Sequence, residues 1–234
     1  MKTLAIFGDS YGRKDAPDIQ ERSWVDFIQD TNTYNITNFA ETGTNLWFSY
    51  DLFLKNHQKF DKVIFLVTAP HRMTLTNPKF TIYPNQNYEA ALVKLGHSTS
   101  EEYKQYKLLV DYYEYIHDID KDEILHKLMV SDVQQKRPNA IVYPCFTVPY
   151  LNDTGLYEVT KYEDEFLGMN HVVRKEFYNK KLRDSRNCHM IEDNNRIVAE
   201  MFLNRLSGST SEIDMKSLVR PTKGLDFYYQ SKWH

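Results

Sequence analysis

Gly8-Asp9-Ser10-Tyr11-Gly12 follows directly on a short apolar run, Thr3–Phe7. A run of that kind, bounded by glycine, reads as a buried strand. The Ser10 hydroxyl then stands at the carboxyl end of the strand, between glycines that permit a tight turn. That is a position for a nucleophile, provided a base reaches it through the fold. The same residues have a second reading, in which Asp9 or Ser10 caps the backbone donors of the next helix. The turn alone does not choose between them.

Of the eight histidines, His189 is the one placed to serve as that base. It sits in Asp184-Ser185-Arg186-Asn187-Cys188-His189-Met190, just before the amphipathic stretch Asn195–Leu206, so it occupies a loop at the start of a helix. Loops before helices are where α/β proteins collect the side chains of their sites. His57, His117 and His126 lie in charged helical stretches and are expected to be solvated, and His97 and His171 fall in polar turns.

These residues must be positioned by a scaffold, and the chain supplies its elements in alternation. Lys62–Thr68 and Ala140–Phe146 are strands like the first, and Tyr34–Phe39 and Leu156–Thr160 bring the expected number to about five. Between them lie helical patterns around Trp24–Ile28, at Leu46–Lys59 and within Ser100–Arg137. Unbroken apolar strands alternating with helices imply a mostly parallel sheet covered on both faces. The ligand site of such a sheet lies beyond the carboxyl ends of its strands. Leu75–Ser98 reads as an insertion over that site, and Ser207–His234 as a polar extension. The tyrosines at 103, 106, 112, 113 and 115 read as amphipathic packing.

Bulk properties narrow the function. A chain of 234 residues suits one well-buried domain. Its formal net charge of -3 points to no nucleic-acid partner. The opening MKTLAIFGDS is too short an apolar run for a signal peptide or membrane span, so a cytoplasmic location is expected. Cys145 and Cys188 make no disulfide framework and have no metal-ligand spacing. No metalloprotease or P-loop motif occurs, so no metal and no cofactor is expected.

The N-terminal strand-Gly-Asp-Ser, together with the late His189-Met190-x-x-x-x-Asn195, resembles the SGNH/GDSL hydrolases over residues 1 to 206. The resemblance implies a three-layer α/β/α sandwich with a flavodoxin-like sheet. It also implies acyl transfer, with Ser10 as nucleophile, His189 as base, and the N–H groups of Ser10 and Gly43 as an oxyanion hole. The family's third block, Gly-x-Asn-Asp, is replaced by Thr68-Ala69-Pro70-His71-Arg72, a Thr-x-x-x-Arg variant resembling a subgroup common among phage-encoded members. Thr68 or His71 then substitutes for the missing oxyanion donor, and Asp9, His71 and Arg72 face the substrate, Arg72 suiting a carboxylate or phosphate. Where the family has an acid three residues before its histidine, this chain has Arg186. Asp184 is the nearest carboxylate to orient His189, and a surface ion pair is its other reading. A small-molecule or carbohydrate ester is the expected substrate, with oligomeric state open. Two rivals share the fold class: an inactive binding protein that keeps the pocket, and a flavodoxin-like domain whose Gly8–Gly12 turn cradles phosphate.

Overall fold

Lys2–Phe7 forms β1, the strand from which the rest of the sheet is laid out. In the computed structural model the described residues are 1–12, 22–42, 44–70, 73–74, 81–82, 104, 107–108, 111–112, 115, 118–159, 190, 192–213 and 215–218. Tyr34–Asn38 (β2) pairs with one side of β1, Lys62–Val67 (β3) with the other, and Ile141–Pro144 (β6) with β3, all parallel. The order is therefore β2-β1-β3-β6. Met73–Thr74 (β4) and Thr81–Ile82 (β5) form a separate antiparallel ribbon within and just before the expected insertion.

Successive side chains of a strand point to opposite faces, and here both faces are apolar. Leu4, Ile6, Ile64, Leu66 and Tyr143 enter one core. Ala5, Phe7, Val63, Phe65, Val67 and Val142 enter the other. A sheet buried on both sides needs a helical layer over each. Trp24–Asp30 (α1) and Glu192–Leu206 (α4) cover the first face, with Trp24 against Phe202 at a ring separation of 4.5 Å. Leu46–Asn56 (α2) and Ile119–Lys136 (α3) cover the second through Leu46, Phe53, Val130 and Val133. Each of the first three helices starts on a side-chain cap. Ser23 and Asp26 form a reciprocal capping box on α1, Asn45 accepts from Phe48 N, and Asp118 accepts from Lys121 N. The layers expected from sequence are thus present.

The parallel sheet has four strands among the described residues, not five. The run expected to be a strand at Leu156–Thr160 is helical at 156–159. Its two fully buried side chains, Leu156 and Val159, are three apart. That spacing brings both to one face of a helical turn and would send them to opposite faces of a strand. Ile213 and Leu218, in the stretch expected to be a polar extension, are buried in the first core.

Among the described residues no helix is long and apolar enough to cross a membrane, and no group of three or more His, Cys, Asp or Glu could hold a metal ion.

His57, expected in solvent, is buried at 6% exposure and stacked on Phe53 with ring centroids 4.4 Å apart. It follows α2 in a short 3-10 turn, His57–Lys59, on the inner side of the chain. Burial is the main cause that holds its pKa below the ordinary 6.5, with Arg137 and Lys136 adding to it. The unfolded chain therefore binds the proton more readily than the folded one, and stability falls as the pH drops through and below about 6.5. In urea titrations, His57→Phe should lose less stability than the wild type between neutral and acid pH.

Gly8 and Gly12 are required by close approach and not by unusual backbone angles. An added Cβ on Gly8 would lie 2.7 Å from Leu66 Cβ, and one on Gly12 would lie 2.9 Å from Ala40 Cβ. Gly8→Ala should destabilise the fold by about 1–3 kcal/mol, as overpacking of a filled core does, read from the urea midpoint at unchanged slope.

Candidate active site at the carboxyl ends of β1 and β3

The chain leaves β1, lays β2 on one side, then crosses to lay β3 on the other. Between β1 and β3 the strand order reverses, and the crevice outside such a reversal is where open parallel sheets bind ligands. The Gly8–Gly12 turn stands on one side of this point and Thr68 on the other.

The turn is fixed by hydrogen bonds from several directions. Gly12 N donates to Asp9 O at 3.0 Å, closing a four-residue turn around Ser10 and Tyr11. Tyr11 N donates to Asp9 Oδ1 at 3.1 Å, the local bond that favours Asp at the head of turns. Asn38, at the end of β2, donates through Nδ2 to Gly12 O at 2.7 Å. From the segment after β2, Glu41 N donates to Gly8 O at 3.1 Å, and Thr44 Oγ1 does so at 3.4 Å. Ser10 remains partly exposed on this held backbone.

Asp9, read from sequence as facing substrate, is instead wholly buried. Its Oδ2 accepts the Thr68 hydroxyl at 2.7 Å and its Oδ1 accepts Cys145 Sγ–H at 3.3 Å as well as Tyr11 N. A buried acidic side chain needs such donors to offset its lost hydration. Asp9 therefore joins the ends of β1 and β3 from beneath and presents no surface to solvent. The same bond alters Thr68. A hydroxyl has one proton to donate, and Thr68 gives it to Asp9 in place of the oxyanion role expected from sequence.

Two more side chains continue this arrangement. His126 of α3, expected in solvent, is 2% exposed. Its Nε2 lies 2.8 Å from Thr68 O, and its Nδ1 is bonded to the Tyr150 hydroxyl. A carbonyl only accepts, so the neutral ring carries its proton on Nε2 and Nδ1 accepts from Tyr150. The signal was present in the sequence: His126, Val130 and Val133 recur at i, i+4 and i+7, on the inward face of α3. Cys145, a buried cysteine, had no comparable signal.

Gly43, His71, Arg72, Asp184 and His189 lie outside the described residues. Thr44 reaches Gly8 O, Pro70 follows Thr68 at the end of β3, and Met190 is 4% exposed in the same core as Tyr11 and Trp24. Ser10, Asp9 and Thr68 are the predicted site residues that the structure brings together. A separate cavity of about 730 Å³ is lined by Lys62, Ile141, Asp153, Arg205 and Glu212, among others. Lys62 and Ile141 open their strands, so it lies away from the carboxyl-end crevice.

Parallel strand order and a helical layer over each face together define a doubly wound parallel α/β protein. No protein-family model and no curated protein matches the chain. Among solved structures, the chain is similar to a lipase/acylhydrolase from Enterococcus faecalis, at 14% identity and a TM-score of 0.40 over 89% of this chain and 96% of that one. A lipolytic protein of the G-D-S-L family from Veillonella parvula is 13% identical, with a TM-score of 0.38 over 88% of this chain and 99% of that one. An acetyl xylan esterase, AlAXEase, is 12% identical, with a TM-score of 0.35 over 86% and 98%. Likeness at this level assigns no residue a role.

Thr68→Val keeps the shape of the side chain and removes one donor from the buried Asp9. It should cost about 1–3 kcal/mol in denaturant unfolding, and Thr68→Ser should recover most of that loss.

Proposed function

We propose that this protein is a serine ester hydrolase. The observation that carries the reading is the setting of Ser10: a partly exposed serine at the strand-order reversal, on a turn tied by its backbone to β2 and the segment after it and by the Asp9 side chain to Thr68 after β3. His189 takes the Ser10 proton, the alkoxide attacks an ester carbonyl, and water then releases the acyl group. Asp184 orients the imidazole. The N–H groups of Ser10 and Gly43 receive the oxyanion, where one donor is typically worth about 3 kcal/mol. His71 and Arg72 face the substrate, an O-acylated carbohydrate or small acyl ester.

The turn argues against a phosphate cradle. Such loops aim successive backbone N–H groups at the ligand, whereas Tyr11 N and Gly12 N are bonded to Asp9. In the hydrolase reading the N–H of Ser10 is the turn's donor to a single oxyanion.

Wild type, Ser10→Ala and His189→Ala are to be compared for hydrolysis of short-chain aryl esters and for labelling by a fluorophosphonate. The expected result is labelling and turnover in the wild type, both lost in Ser10→Ala and reduced at least a thousandfold in His189→Ala. A folded wild type that neither labels nor turns over would sink the proposal.

A further inference from the structure

The residue after the nucleophile and the residue after the proposed base are joined through the interior by two side chains. Trp24 Nε1–H donates to Tyr11 O at 2.6 Å. The backbone N–H of Trp24 donates to Asn195 Oδ1 at 3.1 Å. Asn195 Nδ2 then donates to Met190 O at 3.0 Å. All four residues are buried, with Trp24 at 1% exposure and Asn195 at 7%. Trp24 is further held by its stacking on Phe202, and α1 by its capping box.

Resting on the serine hydrolase reading, we propose that Trp24 and Asn195 are positioning residues that hold the Ser10 turn in place against the start of α4. Consecutive Cα atoms are about 3.8 Å apart, so fixing Tyr11 limits where the backbone of Ser10 stands. The connection is short and stiff: one indole, one carboxamide and the first turn of α1. Each of its bonds is buried, where a hydrogen bond is strongest and its loss is felt as movement of the partner. Neither side chain touches the substrate, so the arrangement acts on the rate of attack and not on binding. A misplacement of about 1 Å between reacting groups costs on the order of a hundredfold in rate.

The test uses Trp24→Phe, which keeps an aromatic ring against Phe202 and removes the N–H to Tyr11, and Asn195→Ala, which breaks the link to Met190. Val133→Ala, in the opposite core, serves as a control for lost stability. Fluorophosphonate labelling of Ser10, kcat and KM for an aryl ester, and the thermal midpoint are measured for each and for the double variant. Each single variant should label and turn over about tenfold to a hundredfold more slowly at unchanged KM. The double variant should be little worse than either single one, because both changes cut one connection. Val133→Ala should keep the wild-type rate despite a lowered midpoint. Labelling at the wild-type rate in folded Trp24→Phe and Asn195→Ala would overturn the proposal while leaving the hydrolase reading intact. So would a loss that Val133→Ala reproduces. A wild type unlabelled at Ser10 overturns the hydrolase reading, and this inference with it.

Discussion

Asp9 is the acidic side chain around which the carboxyl end of the sheet is organised. Two strands that diverge at the reversal of strand order leave backbone ends with no neighbour between them, and water would ordinarily fill that gap. Here Asp9 accepts from Tyr11 N on its own turn, from Thr68 at the end of β3, and from Cys145 just after β6. Three successive strand ends are thereby gathered on one carboxyl group. The turn bearing Ser10 is the direct beneficiary, since its shape follows from where Asp9 is held. His126 and Tyr150 extend the same constraint to α3 and to the loop after β6. A buried polar group of this kind specifies geometry when its bonds are made and destabilises when they are not.

The sheet beneath it is ordinary by comparison, and that is what makes the constraint possible. Apolar side chains on both faces of β1 and β3 leave those strands no freedom of register, because a one-residue slip would exchange the two cores. Helices α1 and α4 close one face and α2 and α3 the other. Tyr50 of α2 donates its hydroxyl to Asp132 of α3 at 2.8 Å, which keeps the second pair in contact. Burial, and then this bond, push the Tyr50 hydroxyl up to about 12, and the same bond holds Asp132 below the usual carboxylate range. A firm support at each face lets a few hydrogen bonds determine the rim.

Apolar runs such as Val63–Val67 announce buried strands because their composition satisfies nothing else, so the parallel sheet and its two helical layers could be read directly. Leu156–Thr160 misled because five residues contain too few apolar positions to separate a period of two from one of 3.6. His57 and His126 misled for another reason. Charged neighbours dominate both stretches, and the inward face of a helix is visible only when the polar residues are ignored. Ser10 was legible as a candidate from its place after a strand. The direction of the Asp9 side chain was not, since a carboxylate beside a strand-end serine reads alike whether it points to ligand or to core. That choice is made by Thr68 and Cys145, respectively 59 and 136 residues away in sequence.

The bond between Trp24 and Asn195 spans 171 residues. Contacts of such sequence separation form late, because the intervening loop must first give up its conformational freedom. During synthesis the strands β1, β2 and β3 are available long before α4 leaves the ribosome. A nascent chain therefore holds the Ser10 turn without the helix that completes its surroundings. The first core, with Trp24 and Tyr143 waiting for Phe202, stays open on that side until the last third of the chain arrives.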